Sequence, residues 1–301
     1  MAGGADSAKA VVYALIANGA IATTKYIAAA LTGSSSMLAE AVHSTADCGN
    51  QVLLLFGLKR SKLPPNHDYP LGFGKETYFW SFVVAIMLFS VGGMFSLYEG
   101  WHKLLAPEDI RNPLIALGVL GFGIAAESFS MWGAMREVNK MRGDASVISW
   151  FRTTRNGELA VIFAEDLAAL IGLVLAFAAV SATWATGNPI FDAIGTVSIG
   201  VLLVIVAILV AIEVKAMLIG QGVEAPIREA MLAFLGEQGA VEQVLDMLTL
   251  HMGSDVMVAV KAKMRPQPGV DELAEAINAI EVVFKQRFPQ VRWVFFEPDL
   301  R

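Results

Sequence analysis

Five side chains with a carboxylate, imidazole or amide group lie inside an apolar run of membrane-spanning length, Met37 to Leu58. They are Glu40, His43, Asp47, Asn50 and Gln51. At 3.6 residues per turn these positions fall within an arc of roughly 100°, so they form one stripe along a helix face. His43 and Asp47 are one turn apart and can point at the same ion. The stripe therefore predicts a cation-binding face on a helix that avoids lipid, because a charged side chain near the bilayer centre costs at least about 2.5 to 3.5 kcal/mol.

A second acidic group lies in a later apolar run, where Glu165 precedes Asp166. Counted at 1.5 Å per residue, Asp47 lies about 15 Å from one membrane face and Asp166 about 11 to 13 Å from the other, so we expect them to meet near mid-membrane. Two carboxylates and an imidazole at one depth need a counter-charge, and we expect no lysine or arginine within the spans to supply it. A divalent cation is the simplest counter-charge. The alternative is that these acids are protonated or hydrogen-bonded packing contacts.

Other acidic residues leave alternatives open. Glu165 points about 100° away from Asp166 and either binds the ion or orients a group that does. Glu127 either lines the route of the ion or bonds Ser128 and Ser130. Glu40 is near a helix end and is a mouth residue or simply solvated, whereas Asp192 complements a helix dipole in a first turn. The predicted metal ligands are therefore His43, Asp47 and Asp166, with Glu165 and Glu127 as further candidates, and we predict no catalytic residue.

The composition is that of a membrane protein. Hydrophobic residues make up 55% of the 301-residue chain and charged residues 17%, and the mean hydropathy is +0.58, which is too apolar for an ordinary soluble domain. The formal net charge of -6, without a basic run, argues against nucleic acid as a partner. The single cysteine, Cys48, excludes an intrachain disulfide.

Six apolar runs are long enough to cross a bilayer of about 30 Å. They are Val11 to Leu31, Met37 to Leu58, Thr77 to Gly100, Pro113 to Met135, Leu159 to Val180 and Pro189 to Val214. Lysine and arginine are concentrated in the loops after the second and fourth runs and are absent from residues 33–36 and 181–188. The positive-inside rule then predicts a multi-pass protein of the cell inner (cytoplasmic) membrane with both termini in the cytoplasm. Residues 1–215 are thus predicted to be a six-helix transmembrane transport domain.

Residues 216–301 return to a soluble charge density and are predicted to form a cytosolic domain. Helical spacing follows Pro226, two alternating stretches flank Gly253 and Ser254, and a helical pattern from Val270 precedes an apolar stretch at the C-terminus. The predicted order is αββαβ. A domain of about 80 residues is marginally stable alone, so pairing with a second copy would help it.

Several motifs resemble the cation diffusion facilitator family of divalent metal/proton antiporters. They are residues 34–41 (SSSMLAEA), the His43-x-x-x-Asp47 spacing and residues 69–75 (YPLGFGK). Within that family, residues 43–51 (HSTADCGNQ), 165–169 (EDLAA) and 187–192 (GNPIFD) most resemble the branch of the mitochondrial zinc exporter. The resemblance covers nearly the whole chain, and six spans followed by an αββαβ domain is also the family's plan.

The resemblance implies a proton-coupled exporter of a divalent cation and a homodimer. Family members bind the ion through paired His/Asp-x-x-x-Asp motifs on the second and fifth spans, and these match His43, Asp47 and Asp166. The fourth place falls on Ile162, which cannot bind metal, so Glu165, Glu127 or water would complete the site. Zn²⁺ is the expected substrate rather than a permanently bound cofactor, with Mn²⁺, Fe²⁺, Co²⁺, Ni²⁺ and Cd²⁺ as alternatives, because such ligands suit all of them.

Two other classes of function are alternatives to a transporter. In the first, the polar stripe is structural and the chain is a non-transporting membrane protein whose C-terminal domain docks a partner or senses metal. In the second, the chain is an intramembrane enzyme, but no nucleophile and base occur in a recognisable arrangement. The sequence therefore favours a secondary active transporter over an enzyme.

Overall fold

The computed structural model describes the backbone of residues 3–300, and side chains from residue 18 onward except that of Glu158. The chain divides into two compact units. The first, the helical unit, comprises Met1–Gly57, Trp80–Phe151 and Asn156–Val214, and the second, the sheet unit, comprises Leu58–Phe79, Arg152–Arg155 and Lys215–Arg301. The sheet unit therefore includes two short segments that precede residue 215, each made of a loop and adjoining helix ends, in addition to the C-terminal domain.

Long helices account for most of the chain before residue 220. They are α1 (Gly3–Thr32), α2 (Ser35–Ser61), α3 (Glu76–Met87), α4 (Phe95–Leu105), α5 (Pro113–Arg142), α6 (Val147–Thr153), α7 (Gly157–Thr186) and α8 (Ile190–Ile219). A π-helical segment, Leu88–Met94, joins α3 to α4 without a break. Local chemistry explains the ends of α7, since the Asn156 side chain accepts a hydrogen bond from the Leu159 N–H at 3.0 Å and Gly187 ends the helix with φ of 69°.

Within the part of the chain that the structure describes, four helical segments are long and apolar enough to cross a membrane. They are Glu76–Leu105, Pro113–Arg142, Leu159–Thr186 and Ile190–Ile219. These correspond to the last four of the six predicted spans. Residues 11–17 of the predicted first span lie outside the residues with described side chains, and α2 carries the polar stripe. The fold is thus a helical membrane protein with four such spans, and the count of six stays a prediction.

Small residues bring helices of the helical unit close together. A Cβ atom added to Gly200 of α8 would lie 2.7 Å from the Leu97 backbone nitrogen, and one added to Gly100 of α4 would lie 2.7 Å from Val197. Close packing of this kind is how helices associate in a membrane, where apolar burial alone gives no preference for helix contact over lipid. Leu88, Leu120, Leu173 and Leu203 from neighbouring helices fill the buried core.

The N-terminus of α2 is fixed by a carboxylate from α8. Asp192 accepts hydrogen bonds from the Ser34 hydroxyl at 2.8 Å, and from the Ser35 N–H and hydroxyl at 2.7 and 2.9 Å. The Ser36 hydroxyl and N–H also donate to it. The first backbone N–H groups of a helix have no partner within the helix, and a carboxylate complements both them and the dipole. Asp192 therefore has a structural role, but it acts at the N-terminus of α2 and not only in the first turn of its own helix, and it positions the helix that carries the stripe.

The C-terminal part of the sheet unit contains two helices and a three-stranded sheet. The elements are α9 (Ala225–Gly236), β1 (Val241–Met252), β2 (Asp255–Met264), α10 (Val270–Arg287) and β3 (Val291–Asp299), in that order along the chain. The strand order is β1-β2-β3. β1 and β2 form an antiparallel hairpin in which Met252 faces Asp255, and β3 joins β2 in parallel, because α10 carries the chain back across the sheet.

One face of this sheet is covered by the two helices. Val256, Val258, Val260 and Ala262 alternate as buried residues along β2, which is the period expected of a strand with one covered face. They pack with Met231 and Leu235 of α9 and with Ile280 and Phe284 of α10. In the same unit the Tyr78 hydroxyl donates to the Gly253 carbonyl at 3.2 Å, so the hairpin turn contacts the start of α3.

Candidate functional site

The polar stripe of α2 faces the interior of the helical unit. Glu40, His43 and Asn50 are 0% exposed, and the Asp47 side chain is 19% exposed. The stripe is buried because the opposite face of α2 carries apolar residues such as Val52 and Phe56, which are exposed. Glu40 is thus neither a mouth residue nor solvated, and that prediction is wrong.

His43 and Asp47 form the core of the candidate site. The His43 Nδ1 and Asp47 Oδ1 atoms are 3.6 Å apart, which is longer than a hydrogen bond. Among the residues that the structure describes, both ring nitrogens of His43 and the Oδ1 atom of Asp47 are buried without a hydrogen-bond partner. Buried polar atoms usually have partners. An imidazole and a carboxylate one turn apart, with free lone pairs, are a pair of donors for a metal ion.

Asp166 and Glu165 of α7 each have one hydrogen-bond partner. The Ser130 hydroxyl of α5 donates to Asp166 Oδ2 at 2.9 Å, and the Asn50 amide donates to Glu165 Oε1 at 2.6 Å. Ser130 thus pairs with Asp166, whereas one alternative had it bonded to Glu127. The Asn50 contact ties the acidic pair of α7 to the stripe of α2. Asp166 keeps a second oxygen that the Ser130 bond does not use.

The five predicted ligands lie in one region of the helical unit but do not converge. Asp47 is close enough to Asp166 for their charges to interact, and the same holds between Asp47 and both Glu165 and Glu127. Yet over the described part of the chain no three His, Cys, Asp or Glu side chains are placed to hold one metal ion.

A buried cation was missed by the sequence reasoning. Lys25 of α1 is 1% exposed, and its Nζ atom lies 3.2 Å from Glu40 Oε2 and donates to the Ser44 hydroxyl at 2.7 Å. The expectation that no lysine lies within a span is wrong, because Lys25 belongs to the predicted run from Val11 to Leu31. A single lysine inside a long apolar run is itself an indication of a buried partner.

The position that the resemblance leaves without a ligand lies on an outer face. Ile162 is 41% exposed, whereas His43 is fully buried. The remaining donors near Asp47 are the carboxylates of α7 and α5, so completion by Glu165 or Glu127 fits this geometry better than a ligand at residue 162.

Histidines elsewhere in the chain have no comparable setting. His67 and Asp68 are almost fully solvent-exposed. In the sheet unit, His251 Nδ1 is buried without a partner among the described residues, but no carboxylate cluster surrounds it there. Burial lowers the pKa of His251, and the charge of Arg155 adds to that effect.

The fold and the site together define a class: a helical membrane protein with a buried imidazole–carboxylate face on one helix and further acids on its neighbours. The sequence profile of the cation efflux transmembrane domain matches residues 11–219. The chain belongs to the cation efflux family, and the resemblance stated from its motifs is confirmed.

Individual relatives are named as metal transporters or metal tolerance proteins. The chain is 32% identical over 248 residues to "Proton-coupled zinc antiporter SLC30A9, mitochondrial" of Xenopus laevis, covering 81% of this chain and 44% of that protein. It is 29% identical over 247 residues to the protein of the same name from Homo sapiens, covering 81% and 44%. It is 31% identical over 242 residues to "Metal tolerance protein C4" of Arabidopsis thaliana, covering 80% and 53%. The chain thus matches only about half the length of these relatives.

These names correct the predicted location. The antiporters of Xenopus laevis and Homo sapiens are named as mitochondrial. The prediction of a cell inner membrane with both termini in the cytoplasm is therefore wrong, because it rested on the positive-inside rule alone. That rule orients spans from the charges of their loops and does not identify the membrane.

Proposed function

We propose that this chain carries a divalent transition-metal cation, zinc in the first place, across its membrane in exchange for protons by alternating access. The observation that carries the proposal is the buried His43–Asp47 pair, whose unpartnered atoms lie near the acids of α7. The proposed transport domain is residues 1–215 with six spans, and residues 216–301 form the proposed C-terminal domain. The name of the zinc antiporters supports zinc as substrate and protons as the exchanged ion.

The proposed roles follow from the chemistry of the donors. His43, Asp47 and Asp166 bind the ion, and Glu165 or Glu127 completes its coordination. An imidazole must be neutral to bind a metal, so a proton and the cation compete for His43. Binding the cation on one side therefore releases a proton, and protons arriving from the other side promote release of the cation.

Alternating access requires the donors to approach one another, and the π-helical segment supports such a motion. A Cβ atom added to Gly92 in this segment would lie 3.9 Å from His43 Nδ1. Single-turn π segments frequently occur at functional sites and are a recognised cause of helix kinks. The helix formed by α3 and α4 can therefore bend next to the candidate site. The homodimer remains a proposal that rests on the family resemblance.

Transport by the purified chain in proteoliposomes tests this function. Zn²⁺, Mn²⁺, Fe²⁺, Co²⁺, Ni²⁺ and Cd²⁺ are offered separately, with a proton gradient imposed in either direction. We expect the flux of zinc to exceed the flux of each other metal. We also expect the direction of zinc flux to reverse when the proton gradient is reversed. The matched variants are His43→Gln, which removes the buried imidazole, and His102→Gln, which removes an exposed one.

Each outcome separates the proposal from its rivals. Loss of flux in His43→Gln with normal flux in His102→Gln supports the site. Flux that ignores the proton gradient would reduce the antiporter to a uniporter. Absence of flux for every metal, in protein that is folded and inserted, would favour the non-transporting alternative with a structural stripe.

A further inference from the structure

The buried Lys25–Glu40 pair lies beside the candidate metal site and is not part of it. Lys25 Nζ donates a hydrogen bond to one oxygen of Glu40, Oε2, at 3.2 Å, and another to the Ser44 hydroxyl. The other oxygen, Glu40 Oε1, is buried without a partner among the described residues. Glu40 is thus a carboxylate of which half is held by a lysine and half is free.

Glu40 is placed where it would otherwise be a ligand. It precedes His43 by three residues and so lies on the same face of α2, about one turn away. Gly172 of α7 leaves the space that Glu40 occupies, because a Cβ atom added to Gly172 would lie 2.5 Å from Glu40 Oε1. α7 is also the helix that carries Glu165 and Asp166, so the free oxygen of Glu40 points toward the helix with the other acids.

The charge of Lys25 reaches the predicted ligands, although its described hydrogen bonds go to Glu40 and Ser44 and not to them. It acts on His43, Asp47 and Glu127. A fixed positive charge in a buried site repels an incoming cation, and screening by solvent is weak there. Lys25 therefore acts against cation binding twice, through its own charge and by holding Glu40.

Stability alone does not account for such a pair. Replacing a buried ion pair by well-packed apolar side chains of similar volume is often neutral or stabilising. A transporter, however, must release its cargo, and a site with one more free carboxylate and one fewer positive charge would hold a divalent ion too tightly to turn over.

Resting on the proposed function, we propose that Lys25 is a positioning residue that keeps Glu40 out of the coordination sphere and sets the metal affinity low enough for release. Lys25 does not bind the ion. Its role is to occupy the nearest spare carboxylate on the stripe, so that the ion meets His43, Asp47 and the acids of α7.

The test is the zinc affinity of four proteins: wild type, Lys25→Met, Glu40→Gln and the double variant, each purified as the full chain. In Lys25→Met the repulsion is lost and Glu40 is freed, so the zinc Kd falls by about tenfold or more. In Glu40→Gln the ammonium loses its counter-charge and the Kd rises by a similar factor. The double variant has the wild-type net charge and no spare carboxylate, so its Kd returns to within about threefold of wild type.

Transport kinetics give an independent measurement on the same proteins. Lys25→Met should lower both KM and kcat for zinc, because the ion binds more tightly and leaves more slowly. If Lys25→Met does not fold, the rise of the Kd in Glu40→Gln and its reversal in the double variant carry the test. A purely structural pair predicts that both single variants shift the Kd in the same direction or leave it unchanged, and that result would overturn the inference.

Asp47→Asn separates this inference from the proposed function. If Asp47→Asn abolishes zinc binding while the Lys25 and Glu40 variants bind like wild type, the site stands and the role of Lys25 falls. If Asp47→Asn binds zinc like wild type, the proposed site itself is wrong.

Discussion

Two carboxylates inside the helical unit, Asp192 and Asp47, differ in how their oxygens are used. Asp192 accepts hydrogen bonds from three consecutive serines at the start of α2. Asp47 has a buried oxygen without a partner among the described residues, and the neighbouring His43 has two such nitrogens. Both acids come from the polar residues of an apolar chain, and both lie mostly away from solvent, with Asp192 3% exposed and the Asp47 side chain 19% exposed.

The difference separates a structural acid from a candidate ligand. A fully bonded carboxylate stabilises the element whose N–H and O–H groups it accepts from, and its removal leaves those donors buried and unpaired. A carboxylate and an imidazole with free lone pairs weaken the fold, because buried polar groups without partners are costly. Such a cost persists where the atoms serve another purpose, which we propose here is binding a cation.

The largest expected effect separates the two acids by function. Asp47→Asn removes an anionic ligand and should lower zinc flux by more than about 100-fold, since even residues that only orient a ligand affect metal affinity by about 10- to 100-fold. Asp192→Asn should retain flux per folded molecule. Equal losses of flux in the two variants, measured in proteoliposomes at matched protein content, would remove the distinction.

Stability should show the reverse order. Asp192→Ala removes the acceptor of the Ser35 and Ser36 N–H groups and of the three serine hydroxyls, and it should lower the free energy of unfolding by about 1 to 3 kcal/mol. Asp47→Ala should cost less, because Asp47 Oδ1 has no bond to lose. Thermal unfolding of the full chain in detergent compares them, and a larger drop in Tm for Asp47→Ala would contradict the assignment.

A smaller effect is expected at the position that lacks a ligand. Because Ile162 is 41% exposed, Ile162→His should change the zinc Kd by less than about threefold. The control is Ile171→His, another exposed position of α7. A tenfold gain in affinity for the Ile162 variant alone would show that α7 turns this face toward the ion.

The smallest effect concerns His251, which also has a buried nitrogen without a described partner. It lacks the neighbouring acids of His43, so His251→Gln should leave zinc flux within about twofold of wild type.

Burial lowers the pKa of His251, so the folded state resists protonation while the unfolded chain protonates near pH 6.5. The contribution of His251 to the free energy of unfolding should therefore be constant above about pH 7 and fall as the pH drops through about 6.5. Thermal unfolding across this range should show a weaker decline in His251→Gln, and an unchanged decline would place its cause elsewhere.

Much of the fold follows from patterns that a sequence displays directly. Alternation along β2, the proline near the start of α9 and the glycine of the hairpin turn predict elements whose observed bounds differ by a few residues. These features depend on local spacing. The use of residues 58–79 in the sheet unit was not predictable, because it depends on contacts between distant segments.

The placement of the candidate residues along α2 was predictable, whereas their partners on other helices were not. Helical spacing places His43 and Asp47 together, and their observed distance of 3.6 Å agrees with it. The partners of Asp166, Glu165 and Glu40 come from other helices, namely Ser130, Asn50 and Lys25. Depth along a helix axis does not determine which faces of two helices meet, so the Lys25–Glu40 pair could not be predicted from the sequence.

The central claim is that His43 and neighbouring carboxylates bind the transported ion, and X-ray absorption at the zinc edge tests it most directly. For the zinc-loaded full chain we predict one imidazole at about 2.0 to 2.1 Å, with the remaining ligands being oxygen atoms. The imidazole contribution should vanish in His43→Gln and persist in His102→Gln. An imidazole contribution that survives His43→Gln, or a sulfur ligand at about 2.3 Å from Cys48, would contradict the account.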